Sequence, residues 1–162
     1  MLIDKKVADT FLSNYKTVMA FLNDGSCPGN IQEYASLRPL IFQNIDSLEK
    51  EISNIVDQNF ISSIKSGVCG KFVYLKKYQK GYILQHIDTN KYYQVAALTT
   101  PLEELIGEEY CLISTAIIPY ANQLVCDGLV LSHNVIVGKN MAKEIRDGYW
   151  QAKKSGELIT HA

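Results

Sequence analysis

A cysteine, an aspartate and a histidine lie close together in the second half of the chain: Cys126, Asp127 and His133. Hydrolysis by a thiol requires a histidine base and a carboxylate that orients it, so these three residues are the candidate catalytic set. Adjacent residues of a strand point to opposite faces of the sheet. Cys126 and Asp127 would therefore share a site only if a bulge separated them.

Asp127 is unusual because alternation places it on the same strand face as apolar residues. Its neighbours on that face are Val125, Leu129 and Leu131. A buried acid must find partners, since an unpaired carboxylate is costly in an apolar environment. Three explanations stay open: a bulge helped by Gly128, a hydrogen bond to a neighbouring turn, or a functional role.

A basic, tyrosine-rich segment is the other candidate site. Residues 65–95 hold six lysines against one aspartate, whereas residues 1–64 and 96–162 each hold five basic and eight acidic residues. Alternation on the first strand predicts a sheet face of aromatic rings and ammonium groups, on which single-stranded bases could stack. The alternative is cross-strand packing without a ligand. The candidate binding residues are Tyr74, Lys76, Lys77, Tyr78, Lys80, Tyr82, Lys91 and Tyr92.

Other kinds of chemistry lack their sequence signatures. The four cysteines form no CxxC pair and have no histidine at ligand spacing, so we expect no metal site. Neither GxGxxG nor GxxxxGK[ST] occurs, which argues against a bound nucleotide. The acidic pairs Glu103-Glu104 and Glu108-Glu109 are typical of solvated surface. No cofactor is expected.

Helical periodicity dominates the first 66 residues. Apolar side chains recur at steps of three and four in two stretches, and Pro39 predicts either a kink or a restart in the second. That second stretch forms a heptad-like seam, which needs a cover from the rest of the chain or from a second copy. We therefore predict an antiparallel helical hairpin and a homodimer or larger assembly. The seam residues are Ile41, Ile45, Leu48, Ile52 and Ile55.

The character of the chain changes to β-strand after Gly70. FVYLKKY, GYILQHI and YYQVAALT predict a three-stranded meander, and a short helix follows at residues 100–105. Two further strands near 110–118 and 123–131 form a hairpin, and residues 134–137 are a candidate last strand. A terminal helix from Asn140 carries Met141, Ile145 and Tyr149 at four-residue spacing.

These elements predict an α+β fold with a helical hairpin, an antiparallel sheet of about five to six strands and a C-terminal helix. We expect one domain over 1–162, with a helical subdomain at 1–66 and the sheet with its closing helix at 67–162. With 162 residues, 47% hydrophobic and a net charge of −1, the composition is typical of a globular protein. The absence of a run of about 20 apolar residues, and an N-terminus broken by charges, predict a cytoplasmic protein without a membrane segment.

From about Gly70 to the C-terminus the chain resembles a family of uncharacterised bacterial proteins. The resemblance rests on YYQVAALTTPLEELIG, IIPYANQLVCDGLV and GYWQAKKSGELI. It does not cover the first 66 residues, and the family has no assigned reaction, so it carries no catalytic residue onto this chain. It implies that the Asp127-Gly128 strand belongs to a shared sheet and that the N-terminal helices are a variable attachment.

The sequence as a whole favours a non-enzymatic interaction protein, which binds a protein partner or itself through amphipathic helices and a sheet face. A single-stranded nucleic-acid-binding protein is the alternative, carried by the Lys/Tyr-rich meander. A small Cys/His hydrolase at Cys126, Asp127 and His133 is the second alternative.

Overall fold

The computed structural model describes residues 1–161, which contain five helices and six strands. Their order is the predicted one, except that a third helix follows the two helices of the predicted hairpin. The helices are α1 (Lys5–Leu22), α2 (Ile31–Ile52), α3 (Gln58–Lys65), α4 (Leu102–Ile106) and α5 (Lys139–Ser155). The strands are β1 (Val68–Tyr78), β2 (Gly81–His86), β3 (Tyr92–Ala97), β4 (Cys111–Tyr120), β5 (Gln123–Cys126) and β6 (Leu131–Ile136). The α+β class, the N-terminal helices and the C-terminal helix are confirmed.

The starts of the N-terminal helices are capped by side chains. Asp4 accepts from the backbone N–H of Lys6 at 2.9 Å, and Asn30 accepts from that of Glu33 at 2.9 Å. Such caps satisfy donors that have no partner inside a helix. Helix α2 continues through Pro39, so the predicted restart is not seen.

The seam on α2 is covered by the chain itself. Ile41, Ile45, Leu48 and Ile52 are buried in one cluster, whereas Ile55 lies beyond the helix and is 48% exposed. The residues that cover this seam come from α1, α3 and the outer face of the sheet, among them Phe11, Val18, Phe60, Ile64, Ala116, Ile118 and Val125. The seam therefore gives no reason to expect a second copy.

The sheet is a closed barrel and not the open sheet of meander and hairpin that the sequence predicts. Strand β4 pairs with β1 along one edge and with β5 and β6 along the other, which gives the order β1-β2-β3-β5-β4-β6 and a further β1–β4 pairing. Strand β1 therefore has partners on both sides. The ring closes because β4 pairs with β1 and with β5 on its two sides, and β5 in turn pairs with β3.

The junction between β3 and β5 is narrow and is extended by the C-terminal segment. The two strands pair in parallel at only two positions, Ala96 with Val125 and Ala97 with Cys126. Next to them, the backbone N–H of Ile159 donates to Tyr92 O at 2.9 Å, and that of Gln94 donates to Ile159 O at 2.9 Å. The edge of β3 is thus satisfied by main-chain hydrogen bonds.

Three apolar clusters divide the core. One fills the barrel, a second lies between the barrel and α1 to α3, and a third lies under α5. Of the apolar positions predicted on the last helix, Ile145 and Tyr149 are buried, but Met141 is 55% exposed. The outer face of the sheet is therefore only partly covered by α5.

Candidate functional site

Asp127 lies at the end of β5 in a buried network of hydrogen bonds. Its Oδ2 accepts from Tyr15 Oη at 2.7 Å, and its Oδ1 accepts from Thr115 Oγ1 at 3.1 Å and from the backbone N–H of Leu129 at 3.0 Å. Arg38 Nη1 lies 3.3 Å from both carboxylate oxygens. All of these groups donate, as a carboxylate requires of its partners.

The ion pair between Arg38 and Asp127 connects two layers of the fold. Each residue is 2% exposed, and Arg38 Nη1 also donates to the carbonyl oxygen of Leu129. Burial raises the pKa of Tyr15 well above its usual value, so the phenol stays protonated and donates to Asp127. The network joins α1 and α2 to the end of the barrel. Of the three explanations left open for Asp127, the structure shows the hydrogen-bonded one. The carboxylate accepts from Leu129 in its own turn and also from Tyr15 on α1 and Arg38 on α2.

Tyr15 and Arg38 are not among the candidate site residues that the sequence predicts. Arg38 lies three residues before Ile41, so it continues the three-and-four spacing of the apolar seam of α2 by one step. A lone charge in register with an apolar seam is a signal of a buried partner, because a buried charge must be paired. That partner lies 89 residues away in the sequence, so spacing alone does not identify it.

The candidate catalytic residues do not form a nucleophile and base. Cys126 is fully buried inside the barrel, where its Sγ lies 3.2 Å from Thr115 Oγ1. His133 is exposed on β6, and its Nε2 is hydrogen-bonded to Ser114 Oγ at 2.6 Å. The structure therefore places Asp127 next to Thr115 and Arg38, and not between Cys126 and His133.

Thiol reactivity should follow burial. Burial raises the pKa of Cys126 to about 11, whereas Cys27 is exposed in the loop after α1. Because the thiolate is the reactive form, iodoacetamide at pH 8 should label Cys27 readily and leave Cys126 unlabelled until the protein unfolds. Peptide mass spectrometry after timed labelling measures both rates. Labelling of native Cys126 as fast as Cys27 would contradict this expectation.

The tyrosines of the basic segment do not share one exposed face. A bulge shifts the register of β1 between Tyr74 and Lys76, so alternation fails there. Tyr74 and Tyr82 point into the barrel and are 3% and 0% exposed, whereas Tyr92 packs under α5. Tyr78 packs on Tyr149, with 4.7 Å between the ring centroids. The predicted stacking platform is therefore not formed.

The lysines of this segment are divided between ion pairs and solvent. Lys77 Nζ lies 3.0 Å from Glu103 Oε1, and Lys65 pairs with Glu49 on α2. Lys76 Nζ lies 5.1 Å from the centre of the Tyr78 ring. The other three lysines of the segment, Lys71, Lys80 and Lys91, are exposed. Acidic residues of the flanking segments thus neutralise part of the basic segment within the molecule.

We expect the protein to bind single-stranded DNA weakly, with the affinity of a purely electrostatic contact that involves no base stacking. Because no tyrosine of this segment presents an exposed ring for a base to stack on, the dispersed ammonium groups are its main attraction for phosphate. Fluorescence anisotropy with labelled oligo(dT) at 50 and 200 mM salt measures the affinity. Tight binding that falls steeply with salt, and is lost when Lys76, Lys77 and Lys80 are changed to Glu, would revive the nucleic-acid alternative.

Glu103 on α4 accepts two hydrogen bonds at the mouth of the barrel. Tyr82 Oη donates to its Oε2 at 2.5 Å, and Lys77 Nζ donates to its Oε1 at 3.0 Å. The hydrogen bond from Tyr82, together with Lys77, lowers the pKa of Glu103 from 4.5 to about 2. The carboxylate thus holds α4 to β1 and β2.

This depressed pKa makes a stability contribution that depends on pH. It is fully present above the unfolded-state pKa of 4.5 and is lost as the pH falls towards 2. Because the pair is half exposed, we expect Glu103→Gln to cost less than about 1 kcal/mol at pH 7. Urea unfolding of both proteins from pH 7 to pH 2 should show the difference shrinking below pH 4.5. A constant difference over that range would contradict the assignment.

An apolar groove lies on the outer face of the sheet, between β6 and the first turns of α5. Its volume is about 660 Å³, and three of the apolar side chains around it are strongly exposed: Ile87 by 39%, Val135 by 48% and Met141 by 55%. Strands β1, β2 and β4 contribute its floor. The remaining lining residues are Lys71, Val73, Gln85, Asn90, Tyr92, Leu112, Val137, Glu144 and Ile145.

Strand β6 forms the free edge beside this groove. It pairs with β4 along one side and ends the order of strands in the sheet. Residues 132–136 are all exposed. Unpaired main-chain groups at a sheet edge accept another strand readily. The groove thus combines apolar side chains with an accessible edge.

None of the helices within residues 1–161 is long and apolar enough to cross a membrane. In the same part of the chain, no three His, Cys, Asp or Glu side chains are grouped as metal ligands.

Comparison of the chain with models of protein families, with curated proteins and with solved structures finds no match.

Proposed function

We propose that the protein is a non-enzymatic interaction module and that the groove between β6 and α5 is its binding surface. The observation that carries the proposal is the exposure of Ile87, Val135 and Met141 around one depression, whose volume is about 660 Å³. Isolated exposed apolar residues are normal, whereas a contiguous patch that is rimmed by polar residues marks an interaction site.

The burial and hydrogen bonding of the candidate catalytic residues favour a binding function over catalysis. The Cys126 thiol is buried and its pKa is raised to about 11, so it is a poor nucleophile at neutral pH. Asp127 is 2% exposed and accepts from two hydroxyl groups, one backbone N–H and Arg38. A carboxylate that is saturated in this way holds structure together and has no lone pair free for a substrate.

The groove is built on rigid elements. Its floor consists of paired strands, and its helical wall is anchored by the buried Ile145 and Tyr149. A preformed surface loses little conformational entropy when a partner binds, which favours affinity. The exposed charged groups of the lining, Lys71 and Glu144, can orient the partner by electrostatic complementarity.

Selection of peptides on the immobilised protein tests this proposal. We expect random displayed peptides to yield apolar binders whose affinity falls about tenfold or more in Met141→Lys, because a charge then occupies the wall of the groove. Phe21→Lys is the matched control, since Phe21 is 40% exposed on α1, outside the groove lining. Failure to select binders, or equal loss of binding in both variants, would overturn the proposal.

A further inference from the structure

We infer that the partner which occupies the groove is a second copy of this chain, bound through β6 and the groove about a two-fold axis. This inference rests on the proposed function and names its partner. An isologous interface uses the same patch on both subunits, so the patch must be complementary to itself in backbone, apolar surface and charge. The groove region meets each of these requirements.

The backbone requirement is met by β6. Two copies of one strand that are related by a two-fold axis run antiparallel. Strand β6 can therefore pair with the β6 of a second copy. Natural edge strands are commonly protected by lysine, by proline or by a β-bulge. The sequence of β6, LSHNVI, contains no lysine, proline or acid, so two copies can approach each other without repulsion between carboxylates or ammonium groups. The pairing of β6 with β4 shifts register between Cys111 and Ile113, so β6 offers only a short edge to its copy.

Apolar side chains supply most of the contact. Asn134 has a φ of +56° and interrupts the regular geometry of β6, so a long intermolecular ladder is not expected. Val135 and Met141 stand on the two sides of the groove and are about half exposed. The dimer would withdraw these side chains from water, and this burial drives association.

The charge requirement is met by Lys71 and Glu144. Lys71 lies on the floor strand β1 and Glu144 on the helical wall α5, and both are exposed in the groove. A groove lining of one sign would repel its own copy, whereas this lining, with one cation and one anion, can pair each with the opposite charge of the partner's lining. This balance favours a second copy over a strongly acidic or strongly basic protein.

The size of the interface sets a further condition. A stable interface buries about 800 Å² on each partner, which is more than the lining of the groove alone provides. The exposed residues 132–136 of β6 and the exposed first turns of α5 adjoin the groove and extend the patch. Both elements must therefore be covered in the dimer.

Sedimentation velocity on the full chain from 1 to 100 µM tests this inference (roughly the range in which interfaces of modest size dissociate). We expect wild type to sediment as twice 18.2 kDa at the upper end. Met141→Lys should weaken the dimer about tenfold or more, whereas Phe21→Lys should leave it unchanged. Circular dichroism melting shows whether each variant is folded.

Exchange of the two charges, Lys71 and Glu144, is the more specific test of the dimer. Lys71→Glu and Glu144→Lys should each weaken the dimer about two- to fivefold, and the double variant should recover the affinity of wild type, because the opposite charges then meet in exchanged positions. A wild-type monomer at 100 µM, a dimer unaffected by Met141→Lys, or a double variant weaker than both singles would each overturn the inference.

The two proposals fail in different ways. If the wild type is monomeric but selected peptides bind in a manner that depends on Met141, the second copy is wrong and the interaction module stands. If the dimer forms as expected, the same peptides should compete with it and shift the protein towards 18.2 kDa. If neither a dimer nor a peptide uses the groove, both proposals are wrong.

Discussion

Replacement of Asp127 by alanine is expected to destabilise the protein by about 3–5 kcal/mol, the usual cost of removing one partner from a buried ion pair. The change leaves the Arg38 guanidinium, which is 2% exposed, without a counter-ion. It also removes the acceptor for Tyr15 Oη, Thr115 Oγ1 and the backbone N–H of Leu129. Unfolding in urea measures this loss directly, and the corresponding decrease in Tm is about 10 °C for a chain of this length.

A double-mutant cycle separates the ion pair from simple loss of packing. Arg38→Met and Asp127→Leu should each be strongly destabilising, but the double variant should cost less than the sum, because it buries no unpaired charge. Tyr15→Phe should cost only about 1 kcal/mol, since it removes one hydrogen bond and no charge. If Asp127→Ala stays within 1 kcal/mol of wild type, the network does not hold the helices to the barrel.

Replacement of Gly148 by alanine is the second large effect. In most helix interiors this change stabilises by up to about 1 kcal/mol. In α5, however, a Cβ at position 148 would lie 2.3 Å from Tyr92 Oη and 3.1 Å from Tyr92 Cζ. The helix or the ring must move, and the hydrogen bond of 2.8 Å from Tyr92 Oη to Ile145 O is lost. We therefore expect a destabilisation of about 1–3 kcal/mol, as in overpacked cores.

Two variants serve as controls for this effect. In Tyr92→Phe the hydroxyl is removed, so the added cost of Gly148→Ala should be smaller in that background. Gly138→Ala, at the start of α5, has open space around the new Cβ and should change stability by less than about 1 kcal/mol. Urea midpoints for wild type, the three single variants and the Tyr92→Phe/Gly148→Ala double variant give the comparison. A Gly148→Ala variant that is more stable than wild type would show that α5 does not pack on Tyr92 in this way.

The helices could be predicted from the sequence because their signals are local. The steps of three and four that place Phe11, Tyr15 and Val18 on one face also bury them in the structure. The caps at Asp4 and Asn30 use side chains within three residues of the groups they satisfy. Continuity through Pro39 could not be predicted, because burial of the flanking turns outweighs one lost hydrogen bond.

The prediction of one exposed face of tyrosines and lysines was wrong, for a reason that strand alternation cannot reveal. One bulge between Tyr74 and Lys76 shifts all later side chains of β1 by one position, and a one-residue shift moves them to the other face. The prediction also assumed an open sheet with one face exposed to solvent. In the barrel, the inner face encloses Tyr74 and Tyr82 and the outer face lies partly under α5, so tyrosines on both faces are buried.

The order of most elements, the apolar faces of the helices and the anomaly of an acid at position 127 on an apolar strand can all be read from the sequence alone. These properties depend on residues that are neighbours in the chain. Three other properties emerge only when the chain is folded: the sheet closes, Tyr15 and Arg38 surround Asp127, and a groove stays open beside β6. Strand pairing and buried charge depend on residues as far as 112 positions apart, and their meeting depends on the free energy of the whole fold.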